Sequence, residues 1–261
     1  MPVSLPVPLP ARIAASALRR PENYAYGDHP DQVADLHLPP GRGPHPVVVV
    51  LHGGHWRTGF GKLVTRPISL DLTRRGWAAW NVEYRRLGGG GGWPMTFQDV
   101  ADSIDRLAAL ADRRLDLTRV TLLGHSAGAH LALWAADRAT TPSNAVGGSP
   151  LVLPTRVVAL APVTDLASAG RAARQLVGGS PDEFPERWAD TDPVRRLPPP
   201  IPTLIVHGEN DQTIDVQRSR RYVADCLVAG GDMGLATPPG DGHRYPIDPS
   251  SASWAAVRAW L

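Results

Sequence analysis

A short segment in the middle of the chain, residues 124–128 (Gly-His-Ser-Ala-Gly), constrains the fold more than any other feature. The apolar run 120–123 before it is typical of a buried strand, and residues 130–136 after it are rich in alanine and leucine, as in a helix. A strand, G-x-S-x-G and a helix form the nucleophile elbow, in which glycines permit a sharp turn and a close approach of the backbone. The segment predicts that Ser126 is a nucleophile beside the positive helix N-terminus. The alternative, a glycine-rich loop with a solvated serine, is disfavoured by the flanking patterns.

Strand-like and helix-like segments alternate along the rest of the chain. The β-branched run 47–51 is typical of a strand buried on both faces of a parallel sheet. Alternation predicts an α/β fold with a mostly parallel, doubly wound sheet, helices on both faces and a small or minimal cap. Ligands of such sheets bind beyond the carboxyl ends of the strands. Further strands are predicted at 33–38, 77–84, 157–161, 203–207 and 233–237, and helices at 64–75, 97–112, 216–229 and 251–261.

Composition narrows the class of protein. The chain has 261 residues, of which 43% are hydrophobic, which suits one domain with a sizeable core. We interpret the proline-broken residues 1–23 as an extended N-terminal arm and residues 24–261 as a single domain. The formal net charge is +2 and the arginines occur as scattered pairs, which indicates solvated helix faces and no nucleic-acid partner.

Several sequence features bear on compartment and partners. Cys226 is the only cysteine, which fits a reducing compartment. No apolar run approaches the length of a membrane span, and the N-terminus is a poor signal peptide, so we expect a cytoplasmic protein with no membrane partner. The expected partner is a small-molecule substrate, and a homodimer is left open.

A serine nucleophile needs a base, which is normally a histidine oriented by a carboxylate. In folds with a nucleophile elbow the chain order is serine, acid, histidine. Asp211 follows the predicted strand 203–207 and His243 follows the last weak strand, so we predict a triad of these two residues with Ser126. Asp211 has an alternative role as a turn former or helix cap, and His207 is expected to pack. The fallback acids are Asp215 and Glu209.

The segment 52–55 (His-Gly-Gly-His) follows the buried strand 47–51. Glycines there allow backbone N–H groups to approach a substrate, so Gly53 and Gly54 are predicted to form an oxyanion hole with the N–H of Ala127. A plain Gly-Gly turn is the alternative. The two histidines of the segment have no third ligand cluster beside them, so we predict neither a metal nor any other cofactor.

Three segments together resemble the kynurenine formamidase (arylformamidase) group of the α/β-hydrolases, which is close to the hormone-sensitive-lipase-like esterases. They are residues 52–56 (His-Gly-Gly-His-Trp), 83–85 (Glu-Tyr-Arg) and 124–131. The resemblance covers most of the chain from about residue 24 to 243 and implies the α/β-hydrolase fold. It also implies the same triad and the same oxyanion hole. The chain departs from the group at His55, where an aromatic residue is more usual, and in the glycine loop 88–92.

The formamidase-like branch also includes small carboxylesterases and feruloyl-type esterases. The favoured function is therefore hydrolysis of a small amide or ester through an acyl-enzyme on Ser126, with an aryl formamide such as N-formylkynurenine as substrate. The alternatives are a short-chain carboxylesterase or feruloyl-type esterase, and a tailoring acyltransferase or cyclase on the same triad. A non-catalytic binding protein with this fold is the remaining alternative.

Aromatic residues near the predicted mouth of the site would stack on an aryl leaving group. We predict that His55, Trp56, Tyr84 and Trp93 bind the substrate. The alternative is that Trp56 packs under the oxyanion loop and that Tyr84 belongs to the core. Glu83 is interpreted as an inward carboxylate paired with Arg85 or Arg57.

Overall fold

An eight-stranded sheet forms the centre of the molecule, with the strand order β1-β2-β4-β3-β5-β6-β7-β8. The structure is a computed structural model, and it describes residues 8–17 and 21–261. The strands are β1 (Glu22–Ala25), β2 (Val33–His37), β3 (His45–Leu51), β4 (Ala78–Val82), β5 (Leu115–His125), β6 (Arg156–Leu160), β7 (Thr203–Val206) and β8 (Met233–Ala236). The helices are α1 (Leu9–Ala17), α2 (Arg66–Thr73), α3 (Met95–Leu110), α4 (Ala127–Ala136), α5 (Arg171–Val177), α6 (Pro185–Thr191), α7 (Val216–Val228) and α8 (Ala252–Trp260).

The sheet is mostly parallel, as predicted. Strands β4, β3, β5, β6, β7 and β8 pair in parallel, whereas β1 and β2 add an antiparallel edge. Alternate residues of β3 point to opposite faces and build two separate cores. Val47 and Val49 pack into the core that includes α3, α4 and α7, whereas Val48 and Val50 pack into the core with α2 and α8. This doubly covered sheet explains the continuous β-branched run of β3.

The N-terminal segment differs from its predicted form. Residues 9–17 form helix α1, which packs against α2, so the interpretation as an extended arm is wrong for these residues. Pro10 lies in the first turn of α1, where a missing N–H costs no helical hydrogen bond. Arg12 of α1 also forms an ion pair with Asp248, with 3.6 Å between Nε and Oδ1. Residues 1–7 and 18–20 of the predicted arm lie outside the described residues, and β1 crosses the predicted boundary at residue 23.

The connection between β6 and β7 carries only two short helices, α5 and α6, together with two 3-10 turns. This is the small cap that the sequence predicts. Among the helices in the described parts of the chain, none combines the length and the apolar character that crossing a membrane requires.

Candidate active site

The segment that links β5 to α4 is a sharp turn with Ser126 at its tip. Ser126 has a positive φ of 53° with ψ −116°, a conformation that a non-glycine residue rarely adopts, and only 4% of the residue is exposed. A Cβ on Gly124 would lie 2.1 Å from the carbonyl oxygen of Gly128, and one on Gly128 would lie 2.2 Å from that of Leu51. The glycines are therefore required by close backbone approach, and the strained angle falls on the serine itself.

The three predicted triad residues converge at the carboxyl ends of the strands. His243 Nε2 lies 3.0 Å from Ser126 Oγ, and His243 Nδ1 lies 2.7 Å from Asp211 Oδ2. Because an ionised carboxylate can only accept, Nδ1 donates to Asp211 and Nε2 is left to accept the serine proton. This is the hydrogen-bond order that a general base needs.

Asp211 is held ionised by its hydrogen bonds. Burial raises its pKa, but donors from His207 and His243 and the backbone N–H groups of Ile214 and Thr213 outweigh burial, so the pKa lies well below its usual range. The Oδ1 atom accepts the N–H of Thr213 at 2.7 Å and that of Ile214 at 2.9 Å. The carboxylate is thus fixed in place while it faces His243.

The two fallback acids are engaged elsewhere. Asp215 caps α7 by accepting the N–H of Gln217 at 2.9 Å. Glu209 pairs with Arg220, with 2.8 Å between oxygen and nitrogen. The structure therefore selects Asp211 as the partner of the base.

His207 is the residue of this network that the sequence analysis missed. It is fully buried, as its expected packing role requires, but its Nε2 also lies 3.0 Å from Asp211 Oδ2. Its Nδ1 lies 2.7 Å from the hydroxyl of Ser219, which can donate to it. Asp211 Oδ2 therefore accepts hydrogen bonds from two imidazole rings. The only sign of the second ring in the sequence is a histidine at the end of a strand, four residues before the acid.

His125 forms a hydrogen bond to the backbone of the loop that carries His243. His125 Nε2 donates to the carbonyl oxygen of His243 at 2.7 Å, and the two rings lie 5.0 Å apart. Burial, with a smaller contribution from His243, lowers the pKa of His125 to about 3. A neutral imidazole therefore ties the elbow to the backbone of His243.

The predicted oxyanion loop lies directly against the elbow. A Cβ on Gly53 would lie 2.8 Å from the carbonyl oxygen of His125 and 3.1 Å from Ser126 Cβ. Gly54 has φ +120°, which an L side chain rarely adopts. Ala127 is the first residue of α4, so its N–H has no acceptor within the helix. The backbone of these three residues is therefore next to the nucleophile, where an oxyanion would form.

A buried ring and a carboxylate support this loop from below. His52 contacts the carbonyl oxygen of Gly53 through Nδ1 and Oε1 of Glu83 through Nε2, both at 2.7 Å. Burial raises the pKa of Glu83, but the hydrogen bond and charge of His52, together with the backbone N–H of Lys62 and the charge of Arg86, outweigh burial, so the pKa is lowered. Tyr84 stacks on the His52 ring at 4.4 Å and donates to the His52 carbonyl at 2.7 Å.

The predicted partners of Glu83 are wrong. Besides His52, Glu83 pairs with Arg86 at 3.1 Å, whereas Arg85 pairs with Asp99 at 2.6 Å. Arg57 instead donates to the side chain of Gln175. Glu83 therefore belongs to the support of the oxyanion loop.

A cavity of about 630 Å³ opens onto Ser126 and His243. Its wall is largely apolar, and part of it comes from α1 and the residue before it. The apolar lining residues are Pro8, Leu9, Pro10, Ile13, Phe60, Val64 and Ile247, to which Tyr245 adds an aromatic ring. Part of the N-terminal segment that the sequence analysis interpreted as an extended arm therefore covers part of this catalytic cavity.

Three of the four predicted substrate-binding residues do not line the catalytic cavity. His55 does, and its side chain is exposed. Trp56 and Tyr84 are 1% and 0% exposed and belong to the core, as the alternative interpretation stated. Trp93 packs on Phe97, with ring centres 5.5 Å apart. The prediction that these three rings form an aromatic platform at the mouth is therefore wrong, because two of them are buried in the core and the third packs on Phe97 away from the cavity lining.

In residues 8–17 and 21–261 no group of three or more His, Cys, Asp or Glu side chains could hold a metal ion.

The sheet, the strained serine and the serine–histidine–aspartate contacts define an α/β-hydrolase of the serine hydrolase class. More particularly, the chain belongs to the BD-FAE family, whose model matches residues 34–225. Together with the relatives below, this match confirms the resemblance at the level of hormone-sensitive-lipase-like esterases.

Curated relatives with similar sequences are esterases. The chain is 27% identical over 241 residues to Esterase LipC of Mycobacterium tuberculosis, covering 85% of this chain and 59% of LipC. It is 28% identical over 229 residues to Esterase LipQ of the same organism, covering 80% of this chain and 52% of LipQ. The chain thus spans between half and three fifths of the length of these relatives.

Solved structures of esterases share the fold. A truncated carbohydrate esterase from gut microbiota superposes with a TM-score of 0.79 at 20% identity, covering 91% of this chain and 93% of that one. Butyrate-bound esterase Est2 of Thermogutta terrifontis gives a TM-score of 0.74 at 18% identity, covering 92% and 91%. At these identities the likeness concerns the fold.

Proposed function

We propose that the chain hydrolyses carboxylic esters, with Ser126 as nucleophile, His243 as general base and acid, and Asp211 as the carboxylate that orients His243. The observation that carries this proposal is the unbroken path of contacts from Ser126 Oγ through His243 to Asp211, which opens onto an apolar cavity. The esterase names of the curated relatives support it.

The reaction follows from the positions of the donors and acceptors. As Ser126 Oγ attacks the ester carbonyl carbon, its proton passes to His243 Nε2, and Asp211 stabilises the charged ring. The carbonyl oxygen gains negative charge and is stabilised by the backbone N–H groups of Gly53, Gly54 and Ala127. His243 then protonates the departing alcohol, which leaves an acyl-enzyme. A water molecule that His243 deprotonates attacks the acyl carbon, the bond from this carbon to Ser126 Oγ breaks, and His243 returns the proton to Oγ as the acid is released.

The lining of the catalytic cavity favours esters with an alkyl chain. Burying methylene groups against Leu9, Ile13 and Val64 is favourable by roughly 0.8 kcal/mol per group. An acetyl group would leave most of the 630 Å³ empty, so a longer acyl or alcohol chain is the better fit.

Hydrolysis of an aryl formamide is the second candidate. It needs the same triad, and Arg244 and Asp248 line the catalytic cavity with opposite charges that could pair with an amino-acid zwitterion such as that of N-formylkynurenine. Trp56, Tyr84 and Trp93, which were predicted to stack on an aryl group, do not line this cavity, however, and the esterase relatives support the ester. We therefore place the ester first.

Steady-state kinetics with purified protein separates the two candidates. We expect kcat/KM for p-nitrophenyl butyrate and octanoate to exceed that for the acetate, and all three to exceed that for N-formylkynurenine. Brisk formamide cleavage with negligible ester cleavage would reverse the order. Transfer of the acyl group to an added alcohol without release of free acid would indicate an acyltransferase, and no turnover of any acyl donor would favour a binding protein.

A further inference from the structure

A second cavity, of about 750 Å³, shares one loop with the catalytic cavity but none of its lining residues. In the loop 53–60, residues 53–55 and Phe60 line the catalytic cavity, whereas Arg57 and Thr58 line the second one. The remaining wall comes from the glycine loop after β4 and from α5 with the two glycines that follow it. We call it the arginine cavity.

Three arginines surround this cavity. Arg171 and Arg174 are three residues apart on α5 and so share a helix face, and Arg57 reaches the cavity from the loop 53–60. Arg57 donates to the side chain of Gln175, which holds its guanidinium at the wall. All three arginines are exposed to solvent and hence accessible to a ligand.

These arginines lack the carboxylate partners that arginines have elsewhere in the protein. Arg85 and Arg138, for example, pair with Asp99 and Asp105 at 2.6 and 2.5 Å. No Asp or Glu lines the arginine cavity, and no carboxylate of the described residues lies within 4 Å of its three guanidinium groups. Glu183, an exposed residue, interacts electrostatically with Arg174 without forming an ion pair.

A concave site with three unpaired guanidinium groups suits an anion that carries several oxygens. Guanidinium binds carboxylate and phosphate in pairs of parallel hydrogen bonds, and it is weakly hydrated enough to do so at a wet surface. Thr58 adds a hydroxyl donor, and Gly88 keeps the wall low beside it, since a Cβ there would lie 3.1 Å from Thr58 Oγ1. The glycine loop 88–92, which the catalytic chemistry does not use, thereby contributes to a site.

We propose that the arginine cavity binds the carboxylate or phosphate group of a small molecule, at a position separate from the catalytic serine. The anion is either the charged end of an ester substrate or a free anion that binds independently of turnover. The shared loop 53–60 is the physical connection between the two cavities.

Titration with inorganic phosphate tests the site and needs no catalytic turnover, so its result is independent of the esterase proposal. The test variant is R171A/R174A. The matched control is R113A/R221A, which removes the same charge from exposed positions that line neither cavity. By calorimetry we expect native protein and control to bind phosphate equally and the test variant to bind at least tenfold more weakly. Equal weakening in both variants, or no binding to native protein at about 10 mM phosphate, would overturn the proposal.

A pair of esters distinguishes the two sources of the anion. 4-Acetoxybenzoate carries a carboxylate on its leaving group, and phenyl acetate is its neutral counterpart. A loss of kcat/KM in R171A/R174A for the charged ester alone identifies the substrate as the source. Weaker phosphate binding with both esters unaffected identifies a free anion. Equal losses for both esters with phosphate binding unchanged would overturn the site.

Discussion

The catalytic cavity and the arginine cavity share the loop 53–60, but the charged groups of the first are paired and the arginines of the second have no carboxylate partner. In the catalytic cavity the reactive groups are partnered: Asp211 accepts from two histidines and two backbone N–H groups, and His243 bridges it to Ser126. In the arginine cavity three cations face solvent without a carboxylate from the described chain. Paired charges in the catalytic cavity hold a proton in position for chemistry, whereas guanidinium groups without a carboxylate partner can bind an anionic ligand.

Removing the nucleophile should produce the largest difference between the two cavities, because hydrolysis should be lost and phosphate binding should be retained. For Ser126→Ala we expect ester hydrolysis to fall by at least about 10⁴-fold, because no other group can form the acyl-enzyme. Phosphate binding should stay within twofold of the native value. Ser168→Ala, at an exposed position, is the control. Retention of hydrolysis in the folded Ser126→Ala variant would refute the assignment of the nucleophile.

A smaller but still large loss is expected for Gly53→Ala. The added Cβ would lie 2.8 Å from the carbonyl oxygen of His125, so the loop must move away from the elbow. Loss of an oxyanion donor costs about 10²- to 10³-fold in kcat, with little change in KM.

The control for this change is Gly234→Ala in β8, where the added Cβ meets only the end of the Leu204 side chain at 3.1 Å. If Gly53→Ala raised KM and left kcat unchanged, Gly53 would be a binding residue and the oxyanion assignment would fail.

The residues changed in these two experiments lie in segments that the sequence predicts correctly. The elbow, the buried run of β3 and the order serine, acid, histidine depend on local pattern and chain order, and all were predicted in the correct places. Helix α4 begins at Ala127, directly after the serine, and the pattern predicted its start within a few residues.

What the sequence missed depends on contacts between distant residues. His207 meets Asp211 only because β7 ends beside the loop after it, and a histidine at a strand end gives no sign of that contact. Trp56 and Tyr84 follow the carboxyl ends of β3 and β4, where the mouth of the site was expected, but both side chains are buried in the core. The prolines around α1 suggested an extended chain, although Pro10 in the first turn is compatible with a helix.

Buried histidines should make the stability of the protein sensitive to acid. Burial lowers the pKa of His125 to about 3 and that of His130 and His37 to about 4. In the unfolded chain these histidines titrate near pH 6.5, so between about pH 6.5 and 4 the unfolded state binds more protons. As the pH is lowered through this range, the free energy of unfolding should therefore decrease by about 1.4 kcal/mol per proton per pH unit. Asp192, whose pKa burial raises to about 6, offsets about one proton between pH 6 and 4.

Urea unfolding at pH 7 and pH 5 measures this slope. His130→Gln should reduce the acid sensitivity by about one proton. The control His55→Gln, at an exposed position, should leave it unchanged. Identical slopes for native protein and His130→Gln would contradict the buried neutral state of this ring.

The smallest predicted effect concerns the preference for the length of the acyl chain of the ester. Ile13 of α1 lines the catalytic cavity, so Ile13→Trp should reduce the octanoate-to-acetate ratio of kcat/KM by about tenfold, and Ile13→Ala should leave or raise it. Ala14→Trp, on the exposed side of the same helix, is the matched control. None of the three should change phosphate binding. An unchanged chain-length profile in Ile13→Trp would show that α1 does not border the bound chain.

Covalent labelling tests the central claim most directly. Native protein treated with a fluorophosphonate and mapped by mass spectrometry should carry a single adduct, on Ser126, and His243→Ala should label far more slowly because the hydroxyl loses its base. A folded, native protein that gains no adduct, or gains it on a serine outside the elbow, would contradict the assignment of the active site.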